Sequence, residues 1–299
     1  MNYNTTLRFS ILIAAAATIS SCGSSSDSDA IGDSDSTANV SAEKDTKAQN
    51  VFYSIPSPIE TTSLLKAAGA KYNASYLNPI ENVSKYSTAA SRALNLGVYG
   101  SDLSFTSIFD QTQESMLYLR CTNKLATSLG ISGAFDENTT SRLEANLDNR
   151  DSLLTIISDS YWNADSYLKD NGQPGVSALI IAGGWMEGLY IATQIAASTK
   201  NEEISTRIGE QKLSLDNLVA LMDSYKTANE GVNDMYTQLS ELKKIYDAIP
   251  AAAAGETVAS TDKTTGTTTI GNKSTYKLTP EQLKAISDKA AQIRNKIIQ

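Results

Sequence analysis

From residue 51 onward the apolar positions recur every three or four residues, as on one face of an α-helix, and few stretches alternate as a half-buried strand does. Asn78-Pro79-Ile80-Glu81 combines a capping residue, a proline at the first helical position and an acid close behind. It predicts a helix running towards Gly97 that buries Val83, Tyr86, Ala90 and Leu94. Ile108, Met116, Leu119 and Leu125 mark the next segment, which Gly130 should end from the left-handed position that follows many helices. A third helix is expected from Asn138 to Asn171-Gly172, with Leu143, Leu147, Leu154, Ile157, Tyr161 and Leu168 near helical spacing. Residues 175–198 then read as a helix that is apolar almost all round.

Asn201-Glu202-Glu203 places a cap and two acids at another N-terminus, and Ile204, Ile208, Leu215, Leu218, Leu221, Met222 and Tyr225 continue the spacing. "VNDMYTQLSELKKIYDAIP" adds a helix stopped by Pro250. Residues 251–278 turn Thr/Gly/Lys-rich and read as a flexible insertion, with a short hairpin around Lys263-Thr264-Thr265-Gly266 as the alternative. Thr279-Pro280-Glu281-Gln282 is a capping box. The seam that follows, Leu283, Ile286, Ala290, Ile293 and Ile297, either packs the last helix on the body or docks a partner helix. The expected fold class is all-α: an antiparallel helical bundle or helical array, with a Thr/Gly-rich loop or small hairpin before the last helix.

The first fifty residues differ in kind. Arg8 precedes an apolar run, Phe9 to Ile19, too short to span a bilayer, and small residues lead to Cys22. Ile19-Ser20-Ser21-Cys22 resembles the lipobox of bacterial lipoproteins. That resemblance implies cleavage before Cys22, diacylation of its thiol with palmitate-like chains and acylation of the new N-terminus. Two or three chains anchor durably where one does not. A plain secretory signal is the alternative, but no A-x-A site precedes a folded segment. Residue 23 is Gly, not the Asp of the inner-membrane retention signal, so the resemblance implies outer-membrane residence, on the periplasmic or the surface face. The Ser/Asp-rich run after it is similar to export signals of Bacteroidota surface lipoproteins, and the body resembles the helical envelope lipoproteins of that group in general style.

Residues 23–50 lack aromatics and bury too little to offset ordering entropy, so they read as a disordered tether with a reach of about 30 Å. The expected organisation is a signal peptide over residues 1–21, a lipidated cysteine and tether over 22–50, and a helical domain over 51–299.

Composition narrows the chemistry. A net charge of −8 disfavours nucleic acid, whose phosphates it would repel. The chain has no histidine, which excludes Ser-His-Asp and Cys-His catalysis and His-ligated zinc or haem. No cofactor or metal is expected. The acidic repeat at Asp27 and Asp29 fails the EF-hand pattern at Ile31 and Ala38, and the pair Gly97 and Gly100 follows no strand. Cys121 reads as a buried, inert thiol.

Asp110 and Glu114, a helical turn apart, could share a groove with Asp102 nearby, but solvated helix surface is the plainer reading. Tyrosine is frequent, at 14 against 5 Phe and 2 Trp. Tyr72 and Tyr76 share a face, with Tyr53, Tyr86 and Tyr99 near in sequence. They serve either a ligand groove or the edge of a helical core.

One acid stands apart. Glu187, in "LIIAGGWMEGLYIA", is the only charge between Val176 and Ala197. A membrane span is disfavoured, because a mid-span carboxylate is costly in hydrocarbon. Gly183, Gly184 and Gly188 leave notches suited to close helix contact, so the expectation is a central bundle helix in which Glu187 must find a partner, reach the surface or stay protonated, a structural polar contact being the favoured outcome. The candidate ligand or polar-core residues are Glu187, Trp185, Tyr190 and Asp102. Two functions follow. One is a non-enzymatic, membrane-anchored envelope lipoprotein that meets the bilayer through acylated Cys22 and binds an envelope protein or small ligand. The other is a carboxylate-dependent, glycan-acting enzyme in which Glu187, beside Trp185 and Tyr190, is the acid.

Overall fold

The computed structural model describes residues 58–132, 137–146, 149–227, 229–250, 257–261, 268–272 and 276–299. The signal segment, Cys22, the tether, Tyr53 and Leu147 lie outside them. Among the described residues there are nine α-helices: α1 (Pro58–Ala67), α2 (Ala89–Ile108), α3 (Thr112–Ser128), α4 (Glu137–Ala145), α5 (Arg150–Asp170), α6 (Pro174–Thr199), α7 (Glu202–Tyr225), α8 (Glu230–Asp247) and α9 (Pro280–Ile298). Two short 3₁₀ turns, Ala74–Tyr76 and Ile80–Ser84, lie between α1 and α2. Strands β1 (Thr257–Thr261) and β2 (Thr268–Asn272) pair antiparallel, Thr257 opposite Asn272, so a hairpin occupies part of the segment expected to be a loop. The body is all-α, as its periodicity predicts.

Helix α6 is the axis. It touches α1, α2, α5, α7, α8 and α9. By length and composition it could cross a bilayer, but 83% of its most apolar window is covered by other parts of the body. Its closest neighbour is α2, and glycine is the reason. A Cβ on Gly97 would lie 2.0 Å from the Ile180 carbonyl oxygen, and one on Gly183 would lie 1.9 Å from that of Leu94. Backbone therefore packs on backbone, which only a hydrogen side chain permits. Gly100 is similarly occupied, by the Tyr161 hydroxyl. The Gly97/Gly100 pair is thus a packing device inside a helix. Gly188 has only ordinary contacts, with Thr61 and Ser101.

Several signals work as read. Gly130 follows α3 with φ +76, and Gly172 follows α5 with φ +69. The Asn201 side chain accepts from the Glu203 and Ile204 N–H groups at the start of α7. Thr279 and Gln282 cap α9 reciprocally. Thr279→Ala should lower stability by about 1 kcal/mol, the usual worth of an N-cap, read as a shift in urea midpoint. A change indistinguishable from zero would show that α9 is held by its packing alone.

Two expectations need correction. The helix expected from Asn78 begins at Ala89 instead, under a capping box of Thr88 and Ser91. Asn78 does not cap: it is fully buried, its Nδ2 donates to Tyr86 and Asn95, and its Oδ1, the atom that would cap, accepts from Asn82 Nδ2 at 2.9 Å, while Ile80–Ser84 forms only a 3₁₀ turn. Val83, Ala90 and Leu94 are half-buried and pack against the core, and Tyr86 is buried within it. The long helix from Asn138 is two, α4 and α5, because Asn149 caps the second through the Ser152 N–H.

Candidate functional site

Glu187 sits mid-helix in α6, fully buried, and its partner comes from the far end of the chain. Arg294 of α9, 6% exposed, donates from Nε to Glu187 Oε2 and from Nη2 to Oε1, both at 2.9 Å. Nη2 also reaches the Tyr76 carbonyl at 3.2 Å, and the guanidinium lies 4.6 Å over the Tyr190 ring. This fork matches the planar geometry of a carboxylate, and the ring face adds a cation–π contact.

Asp102 of α2 completes the cluster. It is fully buried, and its Oδ2 accepts from the Asn78 N–H at 3.2 Å. Among the described residues, Asp102 Oδ1 and the neighbouring Ser101 Oγ are buried oxygens with no hydrogen-bond partner. Burial first, and then the charge of Glu187, hold the Asp102 carboxyl well above the usual carboxylate range; Arg294 and the Asn78 N–H only partly oppose this. Of the two acids, Asp102 is thus the one whose surroundings favour the protonated form. Burial opposes the charge on Arg294, but Glu187, by charge and hydrogen bond, and then Asp102 more than offset it, and the guanidinium pKa is raised.

A shell of amides and phenols fastens α9 to this site. Asn95 Nδ2 donates to the Ile297 carbonyl at 2.8 Å, and the Tyr86 hydroxyl donates to that of Ile298 at 3.3 Å. These are carbonyls of the last turn, which a helix cannot satisfy internally. Asn78 Nδ2 donates to the Tyr86 hydroxyl at 3.0 Å, and the Tyr118 hydroxyl donates to the Asn78 carbonyl at 3.2 Å. Tyr86, Tyr99 and Tyr118 stack at centroid distances of 6.3 and 6.0 Å. Burial raises the pKa of all three, so they serve as neutral hydroxyls.

No protein-family model, curated protein or solved structure matches the chain. What the cluster can do rests on its chemistry. It holds an acid whose two oxygens are taken by a guanidinium, a second buried acid whose surroundings favour its protonated form, and hydroxyls that are buried. Among the described residues no group of His, Cys, Asp or Glu is suited to a metal ion, and the cation in the cluster is Arg294.

Of the four residues singled out from the sequence, Glu187, Asp102 and Tyr190 come together around Arg294. Trp185 does not. It precedes Glu187 by two residues, about 200° round the helix, and faces the opposite way. Its Nε1 donates to Gln211 Oε1 at 3.2 Å on the wall of a narrow, mainly apolar groove, partly open to solvent. Thr61 and Leu65 of α1, Gly188 and Leu189 of α6, and Arg207 and Ile208 of α7 line that groove, and Glu187 does not.

The other candidates disperse. Asp110 is not on a helix with Glu114: it stands between α2 and α3 at φ +60 and pairs with Lys66 at 2.9 Å. Glu114 accepts from the Tyr72 hydroxyl at 2.8 Å, and Tyr72 packs against Phe105 and Phe109. Tyr76 turns away, its hydroxyl 3.4 Å from Ser198 Oγ. Cys121 is buried and free, and burial pushes its thiol up to about 11.

Proposed function

We propose that the chain is a lipid-anchored protein of the cell envelope whose helical body acts by binding a partner protein or small ligand rather than by catalysis. Ile19-Ser20-Ser21-Cys22 and the acidic tether after it support the anchoring and outer-membrane residence. One observation carries the preference for binding. The most isolated acid in the sequence is out of solvent, with both carboxylate oxygens engaged by Arg294. A general acid needs access to a substrate oxygen and a proton to give, and a carboxylate in a bidentate guanidinium clamp offers neither. The glycan-acting alternative would require Arg294 to withdraw before Glu187 could work.

Cys22→Ala in the full precursor tests the anchor. Labelled palmitate should enter the wild-type chain and not the variant, and the variant should leave the membrane fraction. Equal label in both would overturn the lipid assignment. The binding half is tested by crosslinking in cells: a reproducible partner or ligand adduct is expected, and its absence together with a hydrolytic activity of the pure body would reverse the reading.

A further inference from the structure

We propose that α9 is a strap held shut by the proton on Asp102, and that loss of this proton releases it from the body. The placement of the groups carries this. Asp102, Glu187 and Arg294 come from α2, α6 and α9, so the cluster is the point where the strap meets the two central helices. With Asp102 neutral, Glu187 and Arg294 compensate one another and the site carries no net charge. With Asp102 ionised, two carboxylates share one guanidinium and a charge is left buried, which is tolerated only if water enters.

The surrounding titratable groups cannot supply the missing charge. Tyr99 lies on α2, Tyr190 on α6, Tyr118 and Cys121 on α3, Tyr161 on α5, and Tyr72 and Tyr86 before α2. Burial raises every one of these above its ordinary value, so they stay neutral. Asp102 Oδ1 is buried and unpartnered, and among the described residues the one uncommitted donor beside it is the neutral Ser101 hydroxyl, which carries no charge to balance a second carboxylate.

Water must therefore enter by moving an element, and the three are not equally held. Helices α2 and α6 touch backbone to backbone at Gly97 and Gly183. Helix α9 rests on one stripe, Ile286, Ala290, Ile293 and Ile297, and its innermost polar attachments all lie in its last two turns: Arg294 and the carbonyls of Ile297 and Ile298. It is the element that can yield.

The sign follows from proton linkage. Asp102 binds its proton more tightly in the closed body than in an open one, where it returns towards about 4. The closed state is therefore complete at low pH and weakens as pH rises towards the raised value, by up to about tenfold in the opening constant per pH unit.

Amide hydrogen exchange of the full chain, corrected for the intrinsic rate, reads this directly between about pH 6 and 9. Protection of α9 should fall with rising pH ahead of α2 and α6, by up to about tenfold per unit, and the slope should vanish in Asp102→Asn, which mimics the neutral acid. Parallel loss in α9 and α6, or a slope that persists in Asp102→Asn, would overturn the proposal. Should that variant fail to fold, the infrared carbonyl band of a protonated buried carboxyl in the wild-type chain replaces it. That band should disappear over the pH range in which α9 opens, and its disappearance without opening would be equally fatal.

Discussion

Arg294→Met should destabilise the body by about 3–5 kcal/mol, because it leaves Glu187 buried without its cation. The same change removes the Nη2 contact to the Tyr76 carbonyl and the stacking on Tyr190, so the loss belongs at the upper part of that range. Urea denaturation should show a lower midpoint with an unchanged slope, the mark of lost stability without a change in exposed surface. A midpoint within experimental error of the wild type would mean that Glu187 is solvated, contrary to its burial.

The second large effect is steric. Gly97→Val and Gly183→Val each place side-chain carbon where the Ile180 or Leu94 carbonyl already stands, at 2.0 and 1.9 Å from the first added atom. Backbone cannot yield as a flexible side chain can, so each should cost about 3 kcal/mol or more, the top of the usual overpacking range. Gly188→Ala is the internal control. Its Cβ would meet Thr61 and Ser101 at 3.6 and 3.8 Å, ordinary contact distances, and the change should be near neutral or slightly stabilising through helix propensity. Midpoints from urea or thermal unfolding that fail to separate Gly188 from the other two would refute the backbone-on-backbone account of the α2–α6 contact.

The sequence was most readable where a helix end depends on local chemistry. Asn201, Thr279 and Gly130 mark their ends because a cap or a left-handed residue acts within four positions of itself. It misled where tertiary contacts recruit the same residues. Asn78-Pro79 looks like a start, but the Asn78 oxygen that would cap is taken by the Asn82 amide. Gly183 reads as a notch from the sequence, whereas Gly97 reads as a helix end and, with Gly100, as a weak glycine pair; only the facing backbones of the two helices explain Gly97.

Glu187 was conspicuous on composition alone, and its need for a partner followed from the cost of burying a charge. The partner did not follow, since Arg294 is 107 residues away. The available sign was its place on α9, one turn after Ala290 and one residue from Ile293, on the edge of the buried stripe. Asp102 is grouped from the sequence with Glu187 as a polar-core candidate, but its proposed groove with Asp110 and Glu114 does not form, since the fold sends those two to Lys66 and Tyr72.

The central claim is that the isolated acid of α6 is a clamp for α9 and that the body works by binding. Joint replacement of both partners tests it, by Glu187→Leu with Arg294→Met. Removing a buried pair together is often neutral or stabilising, by contrast with removing one member. The account predicts that the double variant recovers most of the stability lost in Arg294→Met and gives the wild-type pattern of crosslinked partners in cells. A double variant as stable as the wild type that has lost those adducts, or that loses an enzymatic activity of the parent, would contradict it and return Glu187 to the chemistry of the site.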